Sequence, residues 1–86
     1  MPNYNVVLSK KSQKQLDKLP DNVAEPIMEA LLELETNPRP KGYKKLKARD
    51  GCRIRIGDYR VIYEIFDTEL VIDVIKLGHR KDIYED

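Results

Sequence analysis

Cysteine and histidine occur once each in this chain, and tryptophan not at all. The lone Cys52 excludes an internal disulfide and leaves no metal-ligand constellation, so no metal or cofactor is expected. A chain with one free thiol suits a reducing cytosol. No apolar run approaches the roughly 20 residues that cross a bilayer. Residues 1–5 lack the basic and apolar regions of a secretory leader. A cytoplasmic protein without membrane contact is therefore expected. No internal repeat, low-complexity tract or linker divides the 86 residues, a length suited to one small domain over residues 1–86. With 41% hydrophobic and 36% charged residues the core is modest, and part of the stability is expected to come from a partner.

What is present is positive charge in one place. The net charge is only +1, yet residues 39–60 hold nine Lys or Arg against two Asp, a local +7, between flanks of −2 and −4. A basic middle between acidic ends points to one surface facing a polyanion. The plainer alternative for Lys44, Lys45, Lys47 and Arg49 is a solvated loop. The polyanion reading is favoured because the run leads into an arginine-rich hairpin.

Residues 4–8 alternate as a short strand. Ser9 is a credible N-cap for a helix reaching about residue 19, with a thin apolar face of Leu16 and Leu19. Pro20, Asp21 and Asn22 break the chain and supply the next cap. A second helix is predicted over about 23–36, where Val23, Ile27, Ala30, Leu31 and Leu34 follow helical spacing. Pro26 costs a hydrogen bond if that helix begins too early, and residues 37–40, with two prolines, end it. Residues 41–51 form a basic connector. Strands follow at 52–56, 59–65 and 70–77, the last two joined by a turn at 66–69. The plan is α+β: two N-terminal helices on one face of a small, mainly antiparallel sheet of about four strands. The helices are expected to cover Ile54, Ile56, Tyr59, Val61, Tyr63 and Ile65, leaving the face with Arg53, Arg55 and Arg60 open.

If Gly57–Asp58 is a two-residue turn, Ile56 pairs with Tyr59 and Arg55 faces Arg60. Like charges opposed across a ladder are destabilising, so the pair reads as a site for an anion. Phosphate matches the planar guanidinium fork. After the last strand, Gly78 permits a turn, and His79 and Arg80 stand at the sheet end. Arg80 is expected to join Arg55 and Arg60 around one phosphate, where three guanidiniums would stabilise a phosphorane-like transition state. His79 has the only side chain here with an ordinary pKa near neutrality. It is a candidate base or acid, with a sheet-end cap or a carboxylate partner as the open alternative.

The segments Arg-Ile-Arg-Ile-Gly-Asp-Tyr-Arg-Val-Ile-Tyr-Glu-Ile at 53–65 and Gly-His-Arg-Lys-Asp-Ile-Tyr at 78–84 resemble the RelE/ParE superfamily of bacterial and archaeal toxins. The resemblance spans nearly the whole chain. It implies a toxin of a type II toxin–antitoxin system. RelE-type members enter the ribosomal A site on the 30S subunit and cut messenger RNA there, and a cognate antitoxin wraps and silences them. It also implies that promoter DNA is met only as a toxin–antitoxin complex. By position, Arg60 and Arg80 would serve the scissile phosphate and leaving group, and Tyr84 would position the substrate or stack on a base. Arg53 and Arg55 fall where the best-known member has lysines. Arginine stays protonated, so these two read as clamps rather than bases. The implied reaction is metal-independent attack of a 2′-hydroxyl on its own 3′ phosphate. The basic residues at 44, 45, 47 and 49 would touch RNA backbone. The alternative is a ParE-like inhibitor of DNA gyrase without nuclease activity.

Overall fold

Alternating apolar residues in the second half of the chain form a sheet, and the 3.6-residue spacing in the first half forms the helices that cover it. The computed structural model describes residues 3–47 and 49–83. The order is β1 (Asn5–Leu8), α1 (Lys10–Asp17), α2 (Asp21–Leu34), β2 (Lys44–Lys45), β3 (Cys52–Ile56), β4 (Tyr59–Phe66) and β5 (Val71–His79). The sheet runs β1-β5-β4-β3-β2, with β1 parallel to β5 and the other pairs antiparallel. The expected α+β plan holds, with one strand more than expected. The basic connector supplies it, Lys44 pairing with Arg53 and Lys45 with Cys52. No helix among the described residues is long and apolar enough to cross a membrane.

The hairpin register is the expected one: Ile56 pairs with Tyr59 and Arg55 with Arg60. Gly57 has φ +61° and Asp58 a negative φ. Positive φ at the first central residue alone is the pattern of a type II′ turn, whose twist suits a hairpin. On the helix-covered face, Ile54, Val61, Tyr63, Ile72, Val74 and Leu77 pack with Leu16 of α1 and Ile27, Leu31 and Leu34 of α2. The Tyr63 hydroxyl, buried in this core, donates to the Pro38 carbonyl at 2.7 Å, and burial pushes its pKa up.

β5 departs from strict alternation. Ile62 pairs with Lys76 and the next residue, Tyr63, with Val74, so Ile75 is the extra residue of a β-bulge. The bulge reverses the phase of everything after it. Leu77 turns into the core, while Lys76 and Gly78 turn to the other face.

The apolar face of α1 is as thin as its sequence suggests, because the helix does a second job. β1 stops pairing at Val74, which leaves the later edge of β5 uncovered. Side chains at three-residue spacing on α1 and its cap bond that edge instead. Ser9 Oγ accepts from Ser12 N–H at 3.0 Å and donates to Ile75 O at 2.8 Å. The fully buried Ser12 donates to Val74 O at 3.0 Å. Gln15 Oε1 accepts from Leu77 N–H at 2.8 Å.

α2 begins at Asp21, two residues before the expected start. Pro20 is the N-cap in an extended conformation (ψ 154°), and its carbonyl takes Val23 and Ala24 N–H, both at 2.9 Å. Pro26 therefore lies beyond the first turn and deprives the Asn22 carbonyl of its helical partner. Both residues are exposed, so water can replace that bond.

At the opposite end of the sheet, Arg39 bonds both oxygens of Asp67 (Nη2–Oδ2 2.9 Å, Nη1–Oδ1 3.3 Å), and the Tyr4 hydroxyl donates to Oδ1 at 2.6 Å. The Arg39 bonds first, and the Tyr4 bond second, hold the Asp67 carboxyl below the usual carboxylate range.

Two outcomes follow. Gln15→Ala leaves the N–H of buried Leu77 without its acceptor and is expected to cost about 1–3 kcal/mol. In a domain of this size that lowers the Tm by roughly 4–8 °C per kcal/mol. Gln15→Glu keeps an acceptor and should melt close to wild type, so equal losses in both variants would reject the edge-capping role. Asp67 has a depressed native pKa, so its pairing stabilises the fold above the unfolded carboxylate range, and that contribution is lost as pH falls through the native value. The Tm gap between wild type and Asp67→Asn should be visible at neutral pH and close in acid. A gap that persists in acid would mean that the charge on Asp67 is irrelevant.

Candidate functional site

Strand alternation places Arg53 and Arg55 on the sheet face away from the helices, and the register puts Arg60 beside Arg55 on that same face. Arg60 pairs in turn with Gly78. The row Arg55–Arg60–Gly78 thus crosses three strands with no side chain at its third position. Arg80 lies just past the end of β5, in the turn that follows His79. Its backbone N–H donates to Asp58 O at 2.8 Å, anchoring it to the β3–β4 turn. Its Nε lies 4.0 Å from Asp58 Oδ1, a loose and exposed ion pair. Arg55 and Arg80 are exposed, whereas Arg53 and Arg60 are half-buried, with Nε of Arg53 and Nη1 of Arg60 shielded from solvent. A half-buried guanidinium is held in place and is screened less by salt.

The next row is Arg53–Ile62–Lys76. Lys76 is a cation of this face that strict alternation would have put in the core. The signal for it is the apolar sequence Val74-Ile75 followed by Leu77, which needs one extra residue to keep both ends buried.

The face is not wholly open, contrary to expectation. After His79 the chain turns back, Asp82 N–H donating to His79 O at 2.8 Å. The buried Ile83 lies on Gly78, where a Cβ would meet Ile83 Cγ1 and Cδ1 at 3.2 Å. The turn expected at Gly78 is not there: β5 runs through it, paired with Arg60, and the chain turns only after His79, so the glycine serves the close approach of Ile83 instead.

His79 does not join the arginines. The bulge turns it to the helix side, where its ring meets that of Tyr59 edge-on at 5.4 Å and 77°. Its Nδ1 accepts from Lys81 N–H at 3.2 Å. Unbulged alternation would have turned it to the face that carries Arg60. Tyr84 lies outside the described residues.

The basic run divides. Lys44 shares a face and a ladder rung with Arg53, while Lys45, opposite Cys52, is on the other face. Lys47 and Arg49 belong to the β2–β3 loop, closed by Leu46 N–H to Gly51 O at 3.0 Å. Arg39 is occupied by Asp67. Burial pushes the Cys52 thiol up, consistent with inert strand filling. Among the described residues no group of three His, Cys, Asp or Glu is placed to hold a metal.

Residues 6–84 match the family model of the ParE toxin of the type II toxin–antitoxin system parDE. The mRNA interferase toxin RelE of Escherichia coli is 28% identical over 91% of this chain and 84% of its own length. Among solved structures, the archaeal RelE–RelB complex from Pyrococcus horikoshii contains a chain with 33% identity and a TM-score of 0.82, covering 94% of this chain and 99% of that one. The RelBE2 toxin–antitoxin complex of Mycobacterium tuberculosis gives 26% identity and a TM-score of 0.83, with coverages of 95% and 97%.

The opposed guanidiniums carry a stability consequence. Arg55→Glu turns a repulsive cross-strand pair into an attractive one and is expected to raise stability by about 0.5–1 kcal/mol at low ionic strength. Thermal melts across a salt series check it, since the gain should shrink as salt rises. A Tm at or below that of wild type in low salt would show that Arg55 and Arg60 do not repel.

Proposed function

Because the chain belongs to the RelE/ParE superfamily of type II toxin–antitoxin toxins, we propose that it is a messenger RNA endonuclease acting in the ribosomal A site and silenced by a cognate antitoxin. One observation carries this reading. Arg55 and Arg60 face each other on the side of the sheet that the helices leave, and Arg80 is anchored to the adjoining turn.

The chemistry follows from that placement. The substrate's 2′-oxygen attacks the adjacent phosphorus, the bond from phosphorus to the 5′-oxygen breaks, and a 2′,3′-cyclic phosphate and a 5′-hydroxyl remain. Water takes the 2′ proton and returns one to the leaving 5′-oxygen. Charge builds on the phosphoryl oxygens and on the leaving oxygen in the transition state. Arg60 and Arg80 oppose it there, and Arg53 and Arg55 hold the linkage from β3. Guanidinium is ill suited to acid–base work, so the four act by clamping charge and aligning the nucleotides in line. His79 faces the helices and has no part in this scheme. Tyr84, by family resemblance, orients the substrate.

Arg60→Ala and Arg80→Ala should each lower cleavage by about 10²–10³, the usual effect of removing one donor to developing charge. Growth arrest on induction should disappear while the Tm and antitoxin binding stay near wild type. Mapping messenger RNA ends in translating cells should show cuts phased to codons. Full toxicity in either variant would remove the phosphate site from the proposal. Intact messages accompanied by DNA breaks would favour gyrase inhibition.

A further inference from the structure

β2 covers the outer edge of β3 only at Cys52 and Arg53. Beyond it a groove of about 410 Å³ opens, lined by Lys41, Lys44, Arg53 and Arg55, with Ala30 and Glu33 contributed by α2. Four cations stand against one carboxylate. A β-turn fixes Lys41 at the rim: Tyr43 N–H donates to Pro40 O at 3.0 Å, and Gly42 has φ +91°. Glycine at the third position of such a turn is the type II pattern.

The backbone of β3 contributes as well. In a two-residue hairpin the pair flanking the turn exchanges both ladder bonds, so Ile56 and Ile54 direct their backbone groups to β4. Arg55 directs its own N–H toward the uncovered edge and so into the groove. Its side chain stands in the row with Arg60, so Arg55 borders both the groove and the phosphate site.

We propose that this groove is a second phosphate subsite, which holds the ribose-phosphate backbone of single-stranded RNA next to the linkage gripped by Arg60 and Arg80. This rests on the endonuclease reading above. An added peptide strand is the less suitable occupant. Past β2 only Arg55 turns its backbone outward, so strand pairing would gain two hydrogen bonds at most. A phosphate needs only donors and positive charge, and this groove offers the Arg55 N–H and is lined by Lys41, Lys44, Arg53 and Arg55. Glu33 repels phosphate and confines the backbone to the β3 side.

The test is a ¹⁵N-amide NMR titration of the full chain with 2′-O-methylated RNA, which cannot be cut. A dinucleotide carries one linkage and should shift the amides of Arg60, Gly78 and Arg80. A tetranucleotide should also shift Gly42 and Tyr43, which the single linkage does not reach. Its affinity should depend more steeply on salt, by about 0.7 in log–log slope for each further phosphate held. The double variant Lys41→Gln, Lys44→Gln should lose the added shifts and the added slope, and keep the shifts around Arg60. If the tetranucleotide moves Arg60 but not Gly42 and Tyr43, the subsite is wrong and the endonuclease site stands. If it moves the groove but not Arg60, the reading of the phosphate site fails and the subsite survives. Equal groove shifts with a tetraglutamate peptide would overturn the assignment to RNA.

Discussion

Val74 and Lys76 oppose consecutive residues of β4, Tyr63 and Ile62, with Ile75 left over between them. Much of the geometry depends on that one extra residue. A one-residue slip moves every later side chain to the opposite face. Without it Leu77 would leave the core and Lys76 would enter it, exchanging a favourable burial for a buried charge. With it, Leu77 is fully buried and Gly78 faces away from the helices, where Ile83 can lie on it. The same slip separates His79 from Arg60.

The bulge also creates a need that α1 meets. Past Val74, no strand among the described residues lies on the outer side of β5, and unpaired backbone groups next to a buried core are costly. Ser9, Ser12 and Gln15 take the place of a strand there. A helix that bonds a sheet edge needs polar residues on its inner face, so its apolar stripe is narrow by necessity.

The arginine face sets function against stability. Two guanidiniums opposed across one rung oppose folding, and the sheet holds them through the core beneath: Ile54 and Val61 form the neighbouring rung on its buried face. The arginine pair concentrates positive charge on the face proposed to hold the anion. The positive run is thereby sorted into parts. Arg39 is paired with Asp67 at the far end. Lys44, Arg53 and Arg55 stand together along β3, and Lys45 turns to the other face.

Local chemistry in the sequence determined a good deal. The Gly57–Asp58 turn and the apolar alternation around it fix the hairpin register, and with it the meeting of Arg55 and Arg60. Turn geometry and strand period are short-range properties, so they can be read from adjacent residues. The same holds for the Ser9 cap and the helix-facing side of β3 and β4. Only the tertiary structure decided the face of His79, the placement of Lys76 on the arginine face and the strand character of Lys44–Lys45. It also decided the return of Ile83 over Gly78. Each of these depends on how one strand is phased against another, and that phase is set by packing between residues distant in the chain, which no local pattern records.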